Sequence, residues 1–519
     1  MNRFFIRTMG CQMNVHDSER AHELLCEAGL SPASSPDDAD LIVVNTCSVR
    51  EKAESKLDSE LGKLRILKEA SSRPIVIAVA GCIAKQRGEA MLKRMPFLDI
   101  IIGPDNLASL PKMALDALQG AQPTVAVEWD IEQPTFLRTQ SQGKGVRPSA
   151  FLSVSKGCDG RCSFCIVPFT RGPERHRRAS EIISEVQDLV AAGAREVFLL
   201  GQTVNNYQDP EGELGVRPSN AKSDFAALLR RIARDVPQLA RLRYTSPHPR
   251  FFDGALIEAH RDLDVLCRHI HMPVQSGSDR VLKRMIRRHT RADFLSVIRA
   301  LRSVRADLTV STDIIVGFPA ETEEDFLETL SLMREVPFVG VYAFKYSPRP
   351  KTAALAFADD VSDACKKDRL ARVFEVSEQL MGIHLQQLLG TTQRVLLEEP
   401  NPRGDGGVSG HTERNEIVHV EAAEGLRVDD GIVDIRITRI FKHSLVGEVD
   451  RTVSNTSNNS SIDTSSNTSN NTPNNTFNNT FNNAQSNAPS NMSSDMSSNA
   501  GGTADQPSRR RLPVLPTDF

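Results

Sequence analysis

Short apolar runs punctuate the first hundred residues, and each is followed by a stretch with helical spacing. Arg3–Met9 (RFFIRTM), Asp40–Asn45 (DLIVVN) and Pro74–Ala80 (PIVIAVA) read as strands, with helical stretches over His16–Ala28, over Glu51–Lys68 and after Cys82. Strands without polar alternation are buried on both faces, so this pattern predicts a parallel sheet covered by helices. Periodicity weakens over 121–150, whose latter half, rich in Gln, Gly, Ser and Pro, reads as a linker. Strand patterns then resume at Phe151–Ser155, Glu196–Leu200, Leu242–Thr245, His269–Met272, Thr309–Val316 and Val339–Tyr346. Helical patterns at Ser180–Ala192, Asp224–Asp235, Arg280–Arg287 and Glu323–Glu335 alternate with them. That succession predicts a closed or nearly closed parallel α/β barrel. From Gln387 to Val449 the segments are short and β-rich, which predicts a small antiparallel β-barrel. From Thr452 to about Ser508 the chain is almost wholly Asn, Ser and Thr. Such a composition buries too little apolar surface to offset chain entropy, and disorder is expected. The expected division is 1–125, a linker over 126–143, then 144–382, 383–450 and a disordered tail over 451–519. The fold class is α/β, with a C-terminal β-barrel.

Composition narrows the function without naming it. The chain has 519 residues, room for several domains, with 39 % apolar and 25 % charged residues. No apolar run reaches the length of a membrane span, and MNRFFIRTMGCQ lacks a secretory apolar region, so a cytoplasmic protein is expected. Thiols stay reduced there, and the nine cysteines point to metal binding, catalysis or burial rather than disulfides. The net charge of −3 predicts no nucleic acid partner by itself, though basic patches can be local.

The cysteines fall into two groups. In SKGCDGRCSFC, Cys158, Cys162 and Cys165 lie in a Gly-flanked polar loop that no core segment would resemble. Three thiolates can hold zinc with a fourth ligand from elsewhere, or an iron–sulfur cluster; three rather than four leave a coordination position open, as a catalytic metal requires. Cys11, Cys47 and Cys82 are nearly evenly spaced, each just past a predicted strand. Any one alone would pass for a small core residue. Together they converge at the edge of a parallel sheet where ligands gather, and they form a candidate second metal site. Asn14, Asn45 and Thr46 could orient those thiolates or simply cap helices. Cys26, Cys267 and Cys365 sit mid-helix or among apolar positions, where structural roles are expected.

The CxxxCxxC loop at the start of an α/β barrel resembles the radical S-adenosylmethionine superfamily. Over roughly residues 1–447 the chain resembles its methylthiotransferase family. MGCQMNVHDSER, VNTCSVREKAESK and AGCIAKQ carry the likeness in the first domain, and KGCDGRCSFCIVPFTRGPERHRR, LLGQTVNNY, TSPHPRFF, HMPVQSGSDRVLKRM, DIIVGFPAETEEDF and FKYSPRPKTAA in the second. The resemblance implies two 4Fe–4S clusters, one on Cys158, Cys162 and Cys165 and one on Cys11, Cys47 and Cys82. It implies S-adenosylmethionine as radical source and methyl donor, a low-potential ferredoxin- or flavodoxin-like reductant, a monomer without membrane attachment, and a C-terminal TRAM barrel. Methylthiolation replaces an unactivated sp² C–H bond, which no ordinary base deprotonates, so a radical route is chemically sensible.

Strand ends are where a parallel barrel gathers ligand contacts. Gly201, Gln202, Asp313 and Gly317, with Gln275 in QSGS, are accordingly the candidate cosubstrate contacts, although Gly317 with Pro319 could equally be a plain turn. Two basic stretches, Arg171–Arg178 and Arg280–Arg291, are either solvated faces or phosphate contacts. Candidate RNA contacts are Arg171, Arg175, Arg177 and Arg178, with Arg414 and Asn415 of the C-terminal barrel, which has Phe441 as its only aromatic. The resemblance offers three substrates: tRNA N(6)-isopentenyladenosine, tRNA N(6)-threonylcarbamoyladenosine, or an aspartate of a small-subunit ribosomal protein. CIVPFTRGPER and LLGQTVNNY look most like the first branch, departing from it at Phe169 and Thr203. That branch converts adenosine 37, beside the anticodon, to its 2-methylthio form and requires an apolar pocket for the isopentenyl group. An iron–sulfur electron carrier or RNA-binding scaffold is the non-enzymatic alternative.

Overall fold

The computed structural model describes residues 2–48, 51–132, 134–138, 147–401, 406–422 and 425–451. The expected disordered tail lies outside the described residues from 452 onward. An N-terminal sheet is formed by β1 (Arg3–Met9), β2 (Ser31–Pro32), β3 (Leu41–Thr46), β4 (Val76–Ala80), β5 (Ile100–Ile102) and β6 (Thr124–Ala126). All pairs are parallel, in the order β2-β1-β3-β4-β5-β6. Leu41 and Val43 enter one core while Ile42 and Val44 enter another on the opposite face. Burial on both faces is why these strands carry no polar alternation. The sheet also runs one residue past the expected domain limit at 125, because β6 pairs with β5.

The second unit contains β7 (Ser149–Ser153), a short antiparallel pair β8 (Ser155–Lys156) and β9 (Arg175–His176), then β10 (Glu196–Leu200), β11 (Arg241–Tyr244), β12 (His269–His271), β13 (Thr309–Val316) and β14 (Gly340–Lys345). Two parallel sheets, β7-β10-β11 and β12-β13-β14, are joined by the parallel bridges Leu242–Leu266 and Thr245–His271. The six strands thus follow chain order around one curved core. Among the described residues no pairing joins β14 back to β7, so closure, the stronger form of the expectation, is not reached. Helix Asp363–Gln386 packs along β14 and helix Gln12–Glu27 of the N-terminal domain along β7, which covers both free edges.

The C-terminal segment closes on itself: β15 (Thr392–Pro400), β16 (Val408–Thr412), β17 (Ile417–Val420), β18 (Ile432–Ile440) and β19 (Leu445–Val449) form a barrel in the order β15-β16-β17-β19-β18. Four of its pairings are antiparallel, as expected, but β17 and β19 run parallel. Its core is Val395, Leu397, Val408, Val418, Val420, Ile435, Ile437 and Leu445. No helix among the described residues is long and apolar enough to cross a membrane.

Candidate active site: two cysteine trios

β1, β3 and β4 are neighbours in the sheet, so the residues just past their ends are brought together. Cys11 caps helix Gln12–Glu27, Cys47 follows β3 and Cys82 opens helix Cys82–Arg87. Glycines make the approach possible. Gly10 sits at φ +144°, and a Cβ there would lie 2.7 Å from the Cβ of Cys47 and 2.5 Å from Asn14 Oδ1; Gly81, at φ +89°, would meet the Thr46 carbonyl at 2.7 Å. Two buried asparagines brace the ends: Asn14 Nδ2 donates to Asn45 Oδ1 (3.1 Å), and Asn45 Nδ2 donates to the Asn14 carbonyl (2.9 Å). Asn14 Oδ1 accepts from Cys11 Sγ at 3.4 Å, and the Thr46 hydroxyl is buried without a partner. The Cys47 thiol, hydrogen-bonded to Cys11, outweighs burial and with Arg171 holds the Cys11 thiol down at about 6. Burial pushes the Cys82 thiol up, with Arg171 opposing it.

The β8–β9 pair pinches the second loop at its base. Gly157, at φ +78°, leaves no room for a side chain, since a Cβ there would stand 2.6 Å from the Gly172 carbonyl. Cys158 N–H donates to that same carbonyl at 3.1 Å. The Cys158 sulfur accepts from Gly160 N–H (3.2 Å) and shares a hydrogen bond with the Thr203 hydroxyl (3.2 Å), which extends from the end of β10. Cys162 Sγ lies 3.7 Å from Arg287 Nη1, and Ser163 anchors the loop to the Met285 and Arg284 carbonyls. Burial pushes the Cys165 thiol up to about 12. Cys26, Cys267 and Cys365 stand apart: Cys26 contacts His22, Cys267 faces Glu196 at the start of β12, and Cys365 lies in the first turn of helix Asp363–Gln386.

One residue links the barrel's cysteine segment to the first trio. Arg171 sits six positions after Cys165, and its buried side chain reaches into the N-terminal domain. Its Nε donates to Cys82 Sγ at 3.3 Å and its Nη2 to Asp17 Oδ2 at 2.7 Å. Arg175 pairs with Asp105 (2.5 Å) and Arg349 with Glu54 (3.2 Å), so three barrel arginines grip carboxylates of the first domain.

The strand-end candidates divide. A Cβ on Gly201 would lie 2.6 Å from Ser155 Oγ, and both Ser155 Oγ and Gln202 Oε1 are buried without partners. Gln275, at φ +77°, bridges to β13 through its backbone, and Asp313 faces His271 Nε2 at 3.5 Å. Ser276, Gly277 and Ser278 spend their polar groups on Thr329 and Asp325 of helix Glu323–Glu335. Gly317 N–H donates to Glu321 Oε2 at 2.6 Å, and Arg369 holds the same oxygen, which is the plain turn that the sequence allowed.

The RNA candidates fare differently. Arg171, Arg175 and Arg177 are buried, Arg177 against Glu185 at 2.5 Å. They are internal struts, not a phosphate-facing surface, because each lies opposite an acidic residue that the sequence alone does not place. Arg178 is exposed beside Glu211. Arg414 and Asn415 lie where the C-terminal barrel docks under the α/β barrel. Arg241 donates to the His411 and Arg394 carbonyls, Arg243 to Thr412, and Thr309 to the Arg414 carbonyl. These donors sit at the starts of β11 and β13, so this loop occupies the end of the barrel opposite the cysteine loop. Sequence reasoning gave no site contact to Thr203, Ser155 or Arg287; the first two lie in quoted motifs without a role there, and each is revealed by proximity alone.

A barrel of parallel strands opened by a three-cysteine loop, carrying a second trio on a separate sheet, defines a class. The Radical SAM superfamily model matches residues 152–333, and the model described as Uncharacterized protein family UPF0004 matches residues 3–103. The chain is a radical S-adenosylmethionine enzyme. It belongs to the tRNA-2-methylthio-N(6)-dimethylallyladenosine synthase branch of the methylthiotransferases. It is 54 % identical to the synthase of Sorangium cellulosum over 467 residues, covering 86 % of this chain and 93 % of that one. It is 44 % identical to the synthase of Geobacter metallireducens, covering 86 % of this chain and 98 % of that one. Among solved structures, the cobalamin- and [4Fe-4S]-bound radical methyltransferase TsrM of Kitasatospora setae gives a TM-score of 0.48 at 14 % identity, covering 68 % of this chain and 77 % of that one.

Proposed function

We infer that the chain converts N(6)-isopentenyladenosine 37 of tRNA to its 2-methylthio derivative in the cytoplasm, with electrons from a low-potential reductant and without needing a partner subunit. The observation that carries the reading is the pair of three-thiol sites, with Arg171, six residues beyond Cys165, hydrogen-bonded to Cys82, in a chain homologous to enzymes of that name. The donor set fits two cubanes. Each trio offers three sulfurs with no fourth protein thiol, and hydrogen-bond donors (Arg171, Gly160 N–H, Arg287) point at sulfurs, as ligand thiolates require. Among the described residues no three Cys, His, Asp or Glu stand close enough for a single ion. A cubane takes one thiolate per iron, so its ligands need not converge on a point.

Cys158, Cys162 and Cys165 would hold one cluster and Cys11, Cys47 and Cys82 the other. Bound there, clusters and S-adenosylmethionine supply one-electron reduction, hydrogen abstraction, sulfur and methyl. The chain's own work is placement. Gly157 and Gly201 clear space that a methyl group would fill. Thr203 and Arg287 fix two sulfurs, and the unpartnered Ser155 Oγ and Gln202 Oε1 are poised for a polar cosubstrate. Asp313 and Gln275 line neighbouring strand ends, whereas Gly317 shapes a turn. The test is nucleoside mass spectrometry of tRNA from a strain lacking this gene. Loss of 2-methylthio-isopentenyladenosine, with the isopentenyl form accumulating, is expected. Persistence of the methylthio nucleoside, or loss instead of the 2-methylthio derivative of N(6)-threonylcarbamoyladenosine or of a methylthio group on a ribosomal protein, refutes the assignment.

A further inference from the structure

The basic stretches flanking the cysteine loop are mostly neutralised. Arg171, Arg175 and Arg177 are spent internally; Arg280 pairs with Asp325 and Arg291 with Glu335. Arg284 lies over the Phe357 ring and donates to the Pro319 carbonyl, and Arg287 points inward to Cys162 and the Pro273 carbonyl. Around the cysteine loop, four exposed cations have no ion-pair partner among the described residues: Arg161, Lys283, Arg288 and Lys351. They come from three chain segments that meet at one residue. Ser163, two positions after Arg161, donates its N–H to the Met285 carbonyl (2.9 Å) and its hydroxyl to the Arg284 carbonyl (3.0 Å), and its own carbonyl accepts from Ala354 N–H (2.7 Å). Lys283 and Arg288 flank the first two partners, and Lys351 precedes the third by three positions.

The backbone is distorted to hold them there. Of the seven non-glycine residues with positive φ among the described residues, three belong to this rim: Ile286 at +57°, Arg288 at +50° and Lys351 at +66°. A β-branched residue in that region is a genuine outlier, and such strain collects at functional sites. The result here is an alternation in which Met285, Arg287 and His289 are buried while Ile286 and Arg288 face outward. Exposed apolar side chains belong to the same segments: Ile286 (39 %) between Lys283 and Arg288, Leu355 (53 %) four positions after Lys351, and Phe169 (38 %) four positions after Cys165. The exposed Asp159 also lies on the loop, its carboxylate accepting from Glu174 N–H. Unpaired cations interleaved with apolar and aromatic groups are the surface that single-stranded RNA requires, charge for phosphates and faces for bases.

We propose that this rim, formed by Arg161, Lys283, Arg288 and Lys351 around the cysteine loop, grips the phosphodiester backbone of the anticodon loop. It rests on the tRNA reading above and replaces the buried arginines as the RNA-facing residues. Each phosphate contact on a single strand contributes about 0.7 to the slope of log K against log salt, so at 0.1 M salt each is worth about fivefold in affinity. The experiment is fluorescence anisotropy of an anticodon stem-loop RNA carrying N(6)-isopentenyladenosine, titrated with the full-length chain over a salt series. The triple variant R161Q/K283Q/R288Q is expected to bind about 100-fold more weakly at 0.1 M salt, with a slope shallower by about 2. K63Q/K93Q/K112Q, which removes the same charge from exposed positions of the N-terminal domain, is expected to stay within about twofold of the parent. Parent-like affinity and slope in the rim variant, an equal loss in the control, or displacement of the RNA by an acidic polypeptide at matched ionic strength overturns the proposal alone. Failure of the parent to bind the RNA overturns the tRNA reading with it.

Discussion

Removing the Asp17 carboxylate should expose how the two cysteine trios are kept in register. Asp17 and Arg171 come from different domains, 154 positions apart, and their side chains retain 11 % and 5 % of their surface. At 2.7 Å their attraction is about 6 kcal/mol at an effective dielectric constant of about 20. Breaking one side of a buried pair costs about 3–5 kcal/mol, because the survivor is left charged and desolvated. In Asp17→Ala that survivor is a guanidinium whose only other side-chain hydrogen bond among the described residues is to the Cys82 sulfur. A loss of 3–5 kcal/mol is a large share of a domain's usual margin and lowers the melting temperature by on the order of 10 °C. Differential scanning fluorimetry of anaerobically prepared protein reads this directly. The double variant Asp17→Asn with Arg171→Gln removes both charges and retains an amide hydrogen bond, so it should recover most of the loss. A D17A protein that melts within a degree of the parent, or a double variant no more stable than D17A, would refute charge compensation as the cause.

Gly157→Ala should abolish iron bound at the barrel trio while sparing the N-terminal trio, since the added methyl collides with the backbone of Gly172 and Pro173; iron and sulfide content per chain checks this. Cys47→Ala should leave S-adenosylmethionine cleavage largely intact and abolish sulfur insertion, whereas Cys162→Ala should abolish both, as measured by chromatography of cleavage products and modified nucleosides. His260 is fully buried against the Tyr244 hydroxyl (2.6 Å), and burial, aided by the charge of Arg305, holds its pKa at about 3. The unfolded chain therefore takes up a proton near pH 6.5 that the native state refuses. Stability from this residue falls by about 1.4 kcal/mol per unit as pH drops from 6.5 towards 3. His260→Gln should remove one proton's worth of slope from urea unfolding measured between pH 6 and 4.

The strands were legible because their signals are local. Glu196–Leu200 and Thr309–Val316 lie at their expected positions, since each carries a short run of β-branched and apolar residues that suits a buried parallel strand. The N-terminal trio was legible for a related reason: three successive strand–cysteine–helix units in a parallel sheet place their cysteines at one edge, whatever the details of packing. The basic residues were not. RGPERHRR looks like an exposed patch, yet three of its arginines are buried, because Asp17, Asp105 and Glu185 reach them from other elements. GHTERN likewise reads as a free loop, and its backbone carbonyls instead cap arginines at the foot of the barrel.

By itself, then, the order of residues determined which segments are strands, where the cysteines fall along them, and which family the chain joins. All three depend on periodicity and spacing within a few dozen positions. Tertiary structure decided the rest: which guanidinium is a strut and which is free, which end of the barrel each loop covers, and that the barrel stays open between β14 and β7. Those outcomes turn on the charge and hydrogen-bonding partners that residues meet across a hundred or more positions, and a buried ion's fate is set by its partner rather than by its neighbours in sequence.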